Sequence, residues 1–439
     1  MNQDAFFTLT ERLHSGLTGS EVLFSNLSGE VSDFVRLNRN RIRQAGHVQS
    51  AGLELTLIDG ARQVEGRCEL SGEFRADLSQ TRHLLTRLRE RLADMPDDPY
   101  LQYSTTPSSS DRRVGEASPP AAQVMADLIR AADGLDLVGI WASGDLSTGL
   151  ASSLGHRHWH HSQSFNLDWS CYLETDKAVK ASLGGLHWDA AALHHRLETQ
   201  RHGLRVMARP ARTIEPGRYR AYLAPAAVNE LMHMLSWGGF DLRNHRTHQT
   251  PLLRLVRGER QFSPQITLRE EHERGLTAGF TAEGFVKPAV VTLIDGGKFG
   301  QCLVDARSGQ EYGEAVNAAG DAPEALALAA GEMPLTEVLA RLDTGLFIGN
   351  LWYCNWSDPN DCRVTGMTRF GTYWVEHGEI VCPVKVMRFD DSLYHLLGDG
   401  LEALTSEREL MLSAETYEGR ATDSALLPGL LVSGITLAL

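Results

Sequence analysis

A proline at one end and a double glycine at the other mark out a single helix in the stretch Pro225–Phe240, PAAVNELMHMLSWGGF. Pro225 suits a first helical turn, where its missing N–H leaves no hydrogen bond unmade. Gly238 and Gly239 stop the helix, because glycine takes the left-handed geometry of a C-terminal cap without steric cost. Val228, Leu231 and Leu235 recur at helical spacing with Met232 beside them, so one face belongs to a core. Asn229, Glu230 and His233 fall between those apolar positions, and a strand over Tyr219–Leu223 leads into the helix. Glu230 and His233, at i and i+3, form a Glu-x-x-His pair. Such a pair holds metal in carboxylate-bundle sites, and elsewhere is an ordinary contact on a helix surface.

A chain of 439 residues exceeds one ordinary core, so two domains are expected, divided as 1–205 and 206–439, with the helix 225–237 in the second. The net charge of −14 argues against non-specific nucleic-acid binding, which needs a basic face. No apolar run reaches the roughly 20 residues of a membrane span. The most apolar stretch, Ala425–Leu439, contains Pro428 and Gly429 and reads as a terminal core strand. The chain opens MNQDAFFTLTERL, with early acidic residues and no basic segment leading into an apolar run, so no secretory signal is expected. The six cysteines are scattered without a C-x-x-C pair, which fits reduced thiols and a cytoplasmic protein.

The N-terminal part predicts a helix near Ala5–Leu17, strands over Asp33–Gln44, Gly52–Ile58 and Arg62–Leu70, a turn at Asp59-Gly60, and a helix near Glu73–Leu92. Leu53, Leu55 and Leu57 alternate with polar partners, the pattern of an antiparallel sheet with one solvated face. Pro96–Pro120 reads as a loop by composition. A helix over Ala121–Ala132, strands over Leu135–Ala142, Gln163–Leu173 and Lys180–Leu183, and a helix over Ala190–Gln200 complete this part. The fold class is α+β.

His156, His158, His160 and His161 form the densest histidine cluster, GHRHWHHS. On a strand, His156, His158 and His160 share one face and offer a zinc- or copper-type donor set, or else a solvated strand face after a turn. Asn244–His248 reads as a polar loop.

Two hairpins mark the C-terminal part. Val290–Ile294 and Phe299–Asp305 flank the turn Asp295-Gly296-Gly297, and Gly371–Val375 and Glu379–Pro383 flank Glu376-His377-Gly378. The second hairpin, GTYWVEHGEIVCPVKV, resembles the W-V-E-N-G-E-I…P-V block of the TldD/PmbA family, also called the "modulator of DNA gyrase" family. The strand, helix and Gly-Gly-Phe exit of residues 219–240 are similar to that family's signature helix. Ser152-Ser153-Leu154-Gly155 is similar to its Asn-Ser-x-Gly turn, and Gly52 to Asp59-Gly60 to its N-terminal hairpin. The resemblance covers nearly the whole chain and is strongest from about Tyr219 to Met387.

The resemblance implies a two-domain α+β fold and a metallopeptidase setting. Catalytic TldD chains carry His-Glu-x-x-x-His on this helix, two imidazoles for zinc and a glutamate to activate water. Here the matching positions are Asn229, Glu230 and Met234, and Asn and a thioether are poor zinc ligands. The family's third ligand, a cysteine near the C-terminus, has no counterpart, since Cys382 is the last cysteine. The resemblance therefore implies the non-catalytic TldE/PmbA branch. Such a chain binds no cofactor itself and pairs with a zinc-carrying TldD-type subunit in a heterodimer that cleaves unfolded peptides. It touches neither membrane nor nucleic acid directly. Two alternatives stand beside it, a metalloprotease with a shifted metal site at Glu230 and His233, and a non-proteolytic peptide-binding homodimer.

Overall fold

The turn at Arg39-Asn40 sets the geometry of the first sheet. Both residues hold positive φ, 51° and 53°, as a two-residue connection matched to strand twist requires. The long hairpin β1 (Val22–Asn38) and β2 (Arg41–Asp59) closes on it, paired from Val22↔Ile58 to Asn38↔Arg41 with a one-residue register shift between Arg36 and Leu37. The expected strand Asp33–Gln44 is thus the tip of a hairpin, with polar Arg and Asn at the bend rather than within a strand.

The computed structural model describes residues 1–174, 177–417 and 419–438. After β2 come β3 (Arg62–Glu69), β4 (Ser109–Val114), β5 (Asp136–Ser152), β6 (Arg157–Glu174) and β7 (Lys177–Gly185). The sheet order is β3-β2-β1-β5-β6-β4, with β7 also pairing β6. All pairs are antiparallel except β4, which runs parallel to β6 from Ser109↔Arg157 to Val114↔Ser162. The Pro96–Pro120 loop therefore contains a strand. Its serines hid it, because their partners are side chains on β6 rather than apolar neighbours.

Alternation along the strands sends odd-numbered residues to one face. Leu27, Leu53 and Leu55 meet the helices α1 (Gln3–His14) and α2 (Phe74–Leu92) there. Trp141, Leu167 and Trp169 meet α3 (Ala121–Ala131) and α4 (Ala190–Met207) on the same face. Even-numbered residues from His156, just before β6, along the strand read His156, His158, His160, Ser162, Ser164, Asn166 and Asp168. This inner face is polar, yet all but Asp168 are buried.

The cover comes from the second part of the chain, a 13-stranded mixed sheet between Gly217 and Ala438. Its central strand is Ser424–Ala438, antiparallel to Gly217–Leu223, Arg388–Ser392 and Leu401–Leu412 and parallel to Ala325–Leu328. The apolar Ala425–Leu439 run is therefore a core strand over its described residues. Gly429 is required in it: a Cβ there would lie 2.1 Å from the Tyr222 hydroxyl. The hairpin at residues 290–305 is shorter than expected. Only Val291–Asp295 and Lys298–Phe299 pair, after which the chain leaves toward a helix at Ala306 capped by Asp305. Residues Leu242–Arg246, which overlap the start of the expected polar loop at Asn244, form a helical turn because Asp241 accepts the Asn244 N–H at 2.8 Å.

Two arginines stitch the polar faces together. Arg112 on β4 donates to the carbonyls of His272, Glu273, Gly275 and Thr277 at 2.6–3.2 Å. Arg420, in the loop before the central strand, is buried and donates to Ser164 Oγ at 2.8 Å, Ser164 O at 3.0 Å and Gly144 O at 3.3 Å. Its backbone N–H reaches Glu30 Oε2 at 3.2 Å. Replacing Arg420 with methionine leaves these acceptors buried without a donor. Arg420→Met is expected to cost about 3 kcal/mol in urea denaturation, whereas a loss below about 0.5 kcal/mol would show that the stitch contributes little.

Candidate functional site

The helix α5 (Pro225–Ser236) starts where Gly217–Leu223 ends, with Pro225 in its first turn as expected. It ends at Ser236, one residue short of the expected 237. Gly238 has φ 78°, and a Cβ on Gly239 would lie 2.1 Å from the Leu235 carbonyl oxygen. Ala227, Val228, Leu231, Met232, Met234 and Leu235 are buried in the largest core. Asn229 and Glu230 are half-buried, while His233 and Trp237 are exposed.

This arrangement decides what the helix can hold. Asn229 and Met234 are five residues apart, which on a regular helix separates their directions by about 140°. The helix stays regular past Met234, and Met234 is 3% exposed within the core. The positions matched to a zinc pair therefore do not converge. Glu230 and His233 do share the solvent-side stripe, but no third donor among the described residues closes on them as a ligand cluster.

What Glu230 faces is the first sheet. Its carboxyl is pushed above the ordinary range by burial, against the pull of Lys180 and His233 and with the repulsion of Asp168. Lys180 and Asp168 form an ion pair at 3.3 Å on β7 and β6. The Cys354 thiol, pushed up to about 12 by burial, also feels Glu230, and Asp423 feels His233. A carboxyl held above its usual range thus stands across the seam from an ion pair.

The histidine cluster lies farther along that seam. His156, His158 and His160 share a face of β6, as expected, but they are 0%, 1% and 2% exposed rather than solvated. The cover is the segment 276–284: Phe280 stacks on His158 with ring centroids 4.8 Å apart, and His160 Nε2 meets Leu276 O at 2.6 Å. Gly284, φ 88°, leaves room for the His156 ring, which a Cβ would approach to 3.0 Å. Their ring nitrogens are committed separately. His158 engages Ser108 and Ser110, each at 2.8 Å, and His156 engages Ser152 at 2.6 Å. They do not converge on one point. His161 turns to the other face, near Ser147 and Asp145.

A different cluster was not foreseen. Glu270, His272 and Glu324 place one ligand-type atom each within 4.8 Å of one another, with the Lys287 ammonium bonded to Glu324. Burial pushes the Glu270 carboxyl up to about 7. Glu270-x-His272 at strand spacing was its one sequence signal, and Glu324 lies too far along the chain to have been linked to it. A groove of about 1150 Å³ adjoins it, lined in part by Val286, Lys287, Pro288, Phe299 and Cys302.

The two sheets and the Pro-to-Gly-Gly helix at their seam are the frame of a metallopeptidase-related α+β protein. The model of the PmbA/TldA metallopeptidase C-terminal domain matches residues 216–439, half of the chain, and the chain belongs to the TldD/PmbA family. Three crystal structures share the fold. A protein described as a candidate modulator of a DNA gyrase from Thermotoga maritima has a TM-score of 0.78 at 15% identity, over 99% of this chain and 100% of that one. TldE from Thermococcus kodakarensis has a TM-score of 0.74 at 14% identity, over 99% and 100%. A candidate modulator of DNA gyrase from Bacteroides thetaiotaomicron has 0.71 at 16%, over 99% and 98%. A search of curated protein sequences gives no match.

Burial lowers His158 and His160 from 6.5 to about 4. The unfolded chain takes up these protons first, so the stability they support is complete above pH 6.5 and is lost as pH falls toward 4. Each contributes a slope of about 1.4 kcal/mol per pH unit in that window. Denaturation from pH 7 to 4 is expected to show His158→Gln losing less stability than the wild type. Parallel curves would mean that His158 is as easily protonated in the folded protein as in the unfolded one.

Proposed function

We propose that this chain is a TldE-type, non-catalytic subunit of a TldD/TldE-type metallopeptidase, shaping a chamber for unfolded peptides while a TldD-type partner supplies the zinc. The observation that carries the reading is Met234, which sits in the core on a regular helix about 140° from Asn229. A donor pair cannot form there without moving the helix. Cys382, the last cysteine, pairs in its strand opposite Trp374, so it supplies no ligand from the tail.

Further support comes from the seam itself. Glu230, the one position where the family's glutamate is kept, faces the Asp168–Lys180 pair, polar groups that can bond to the backbone amides of a peptide. The likeness to TldE of Thermococcus kodakarensis is one of fold. The division at residues 205 and 206 belongs to this reading. No helix of the described residues is long and apolar enough to cross a membrane. Six free cysteines suit a reducing, cytoplasmic setting, and the net charge of −14 suits a partner other than nucleic acid.

The test is hydrolysis of an unstructured peptide by this chain, by a TldD-type chain carrying His-Glu-x-x-x-His, and by the two mixed. Cleavage is expected in the mixture and not with this chain alone. Zinc-dependent cleavage by this chain alone, lost in both Glu230→Gln and His233→Ala, would instead establish the shifted metal site. Peptide binding by a homodimer with no gain in cleavage on mixing would establish the non-proteolytic module.

A further inference from the structure

We propose that Glu270, His272 and Glu324 form a binding site for a first-row divalent metal ion, separate from α5, with the Lys287 ammonium as its resident placeholder. The inference stands independently of the TldE-type reading.

The imidazole is the starting point. His272 Nδ1 lies 2.8 Å from the Pro288 carbonyl oxygen. A carbonyl only accepts, so Nδ1 carries the proton and Nε2 presents a bare lone pair. That Nε2 is 3.3 Å from Glu270 Oε1, and the two side chains are 4% and 1% exposed. Two acceptors set this close in a buried place repel unless a proton or a cation lies between them.

The carboxylates are held as ligands are held. Glu270 ends the strand Leu268–Glu270, between Val291 and Leu326 on its two neighbours. It accepts the Ala325 N–H at 2.9 Å and the Glu324 N–H at 3.1 Å, which fixes its plane. The His272 carbonyl bond and these backbone bonds are the outer contacts that orient a metal's ligands. One imidazole nitrogen with two carboxylate oxygens is a donor set for zinc, manganese, iron(II) or cobalt(II).

Charge in the region favours such an ion. Glu270, Glu324 and the nearby Asp423 are set against Lys287 and Arg112, and Arg112 is spent on four backbone carbonyls. Lys287 bonds to Glu324 and also bears on Glu270 and His272, so one ammonium faces two carboxylates and an imidazole. Lys287 and Pro288 also line the groove of about 1150 Å³, which gives the ammonium a direction in which to withdraw.

The test is titration of the full-length protein with Co²⁺ alone, read by its visible d–d absorption, with Zn²⁺ as competitor. One equivalent is expected to bind. Glu270→Gln and His272→Gln are expected to weaken binding at least about tenfold, a typical loss even for groups that only orient ligands. Lys287→Met, which keeps all three ligands, is expected to tighten it about tenfold by removing a competing charge. The proposal is overturned if the wild type binds no Co²⁺, if the ligand variants, folded by circular dichroism, bind as well as wild type, or if Glu230→Ala abolishes binding while Glu270→Gln does not. Should the ligand variants not fold, Lys287→Met decides: unchanged or weaker binding overturns the proposal.

Discussion

A polar strand face buried between two sheets is the constraint on which this architecture depends. Every second residue of β6 from His156 to Asn166 is polar and almost without solvent, and a buried polar group costs free energy unless it finds a partner. Some partners lie in the first part of the chain, Ser108 and Ser110 for His158 and Ser152 for His156, and others come from far along it. Phe280, Leu276 and Gly284 meet the imidazoles, and Arg420 meets Ser164. The two parts of the chain meet in one orientation over this face, both by hydrogen bonds, from Arg112 and Arg420, and by apolar contact, as where Phe280 joins Phe24, Ile58 and Leu150.

That orientation gives α5 its character. The helix lies with its apolar stripe in the second core and Glu230 toward the first sheet. Its regular course past Met234 follows from the core: Met234 packs with Leu231 and Leu235, and breaking the helix to swing it outward would open a cavity worth several kcal/mol. An ordinary packing preference has thus taken the place where a metal site would impose distortion. The same seam collects charge. Asp168 and Lys180 stand in one place along it, and Glu270, His272, Glu324 and Lys287 in another.

Much of the frame was legible. The Pro225 start and Gly238-Gly239 stop of α5, the leucine alternation of β2, and the hairpin around Glu376-His377-Gly378 are local signals, and local chemistry answers them in the structure. The α+β class and the TldD/PmbA family both hold. What was not legible depended on long-range partners. The serines of β4 look like loop until His158 is set beside them. The alternation of His156, His158 and His160 was readable, but their burial was not, since the segment that covers them begins more than a hundred residues later. Glu324 likewise joins Glu270 and His272 only through the pairing of two distant strands.

The central claim is that α5 holds no zinc pair, and the most direct measurement of it is anomalous scattering at the zinc edge from crystals grown with zinc. The account predicts no peak within ligand distance of Asn229, Glu230, His233 or Met234, whatever is bound elsewhere on the chain. A strong peak bridging Glu230 and His233 would contradict it and make α5 a metal-bearing helix after all.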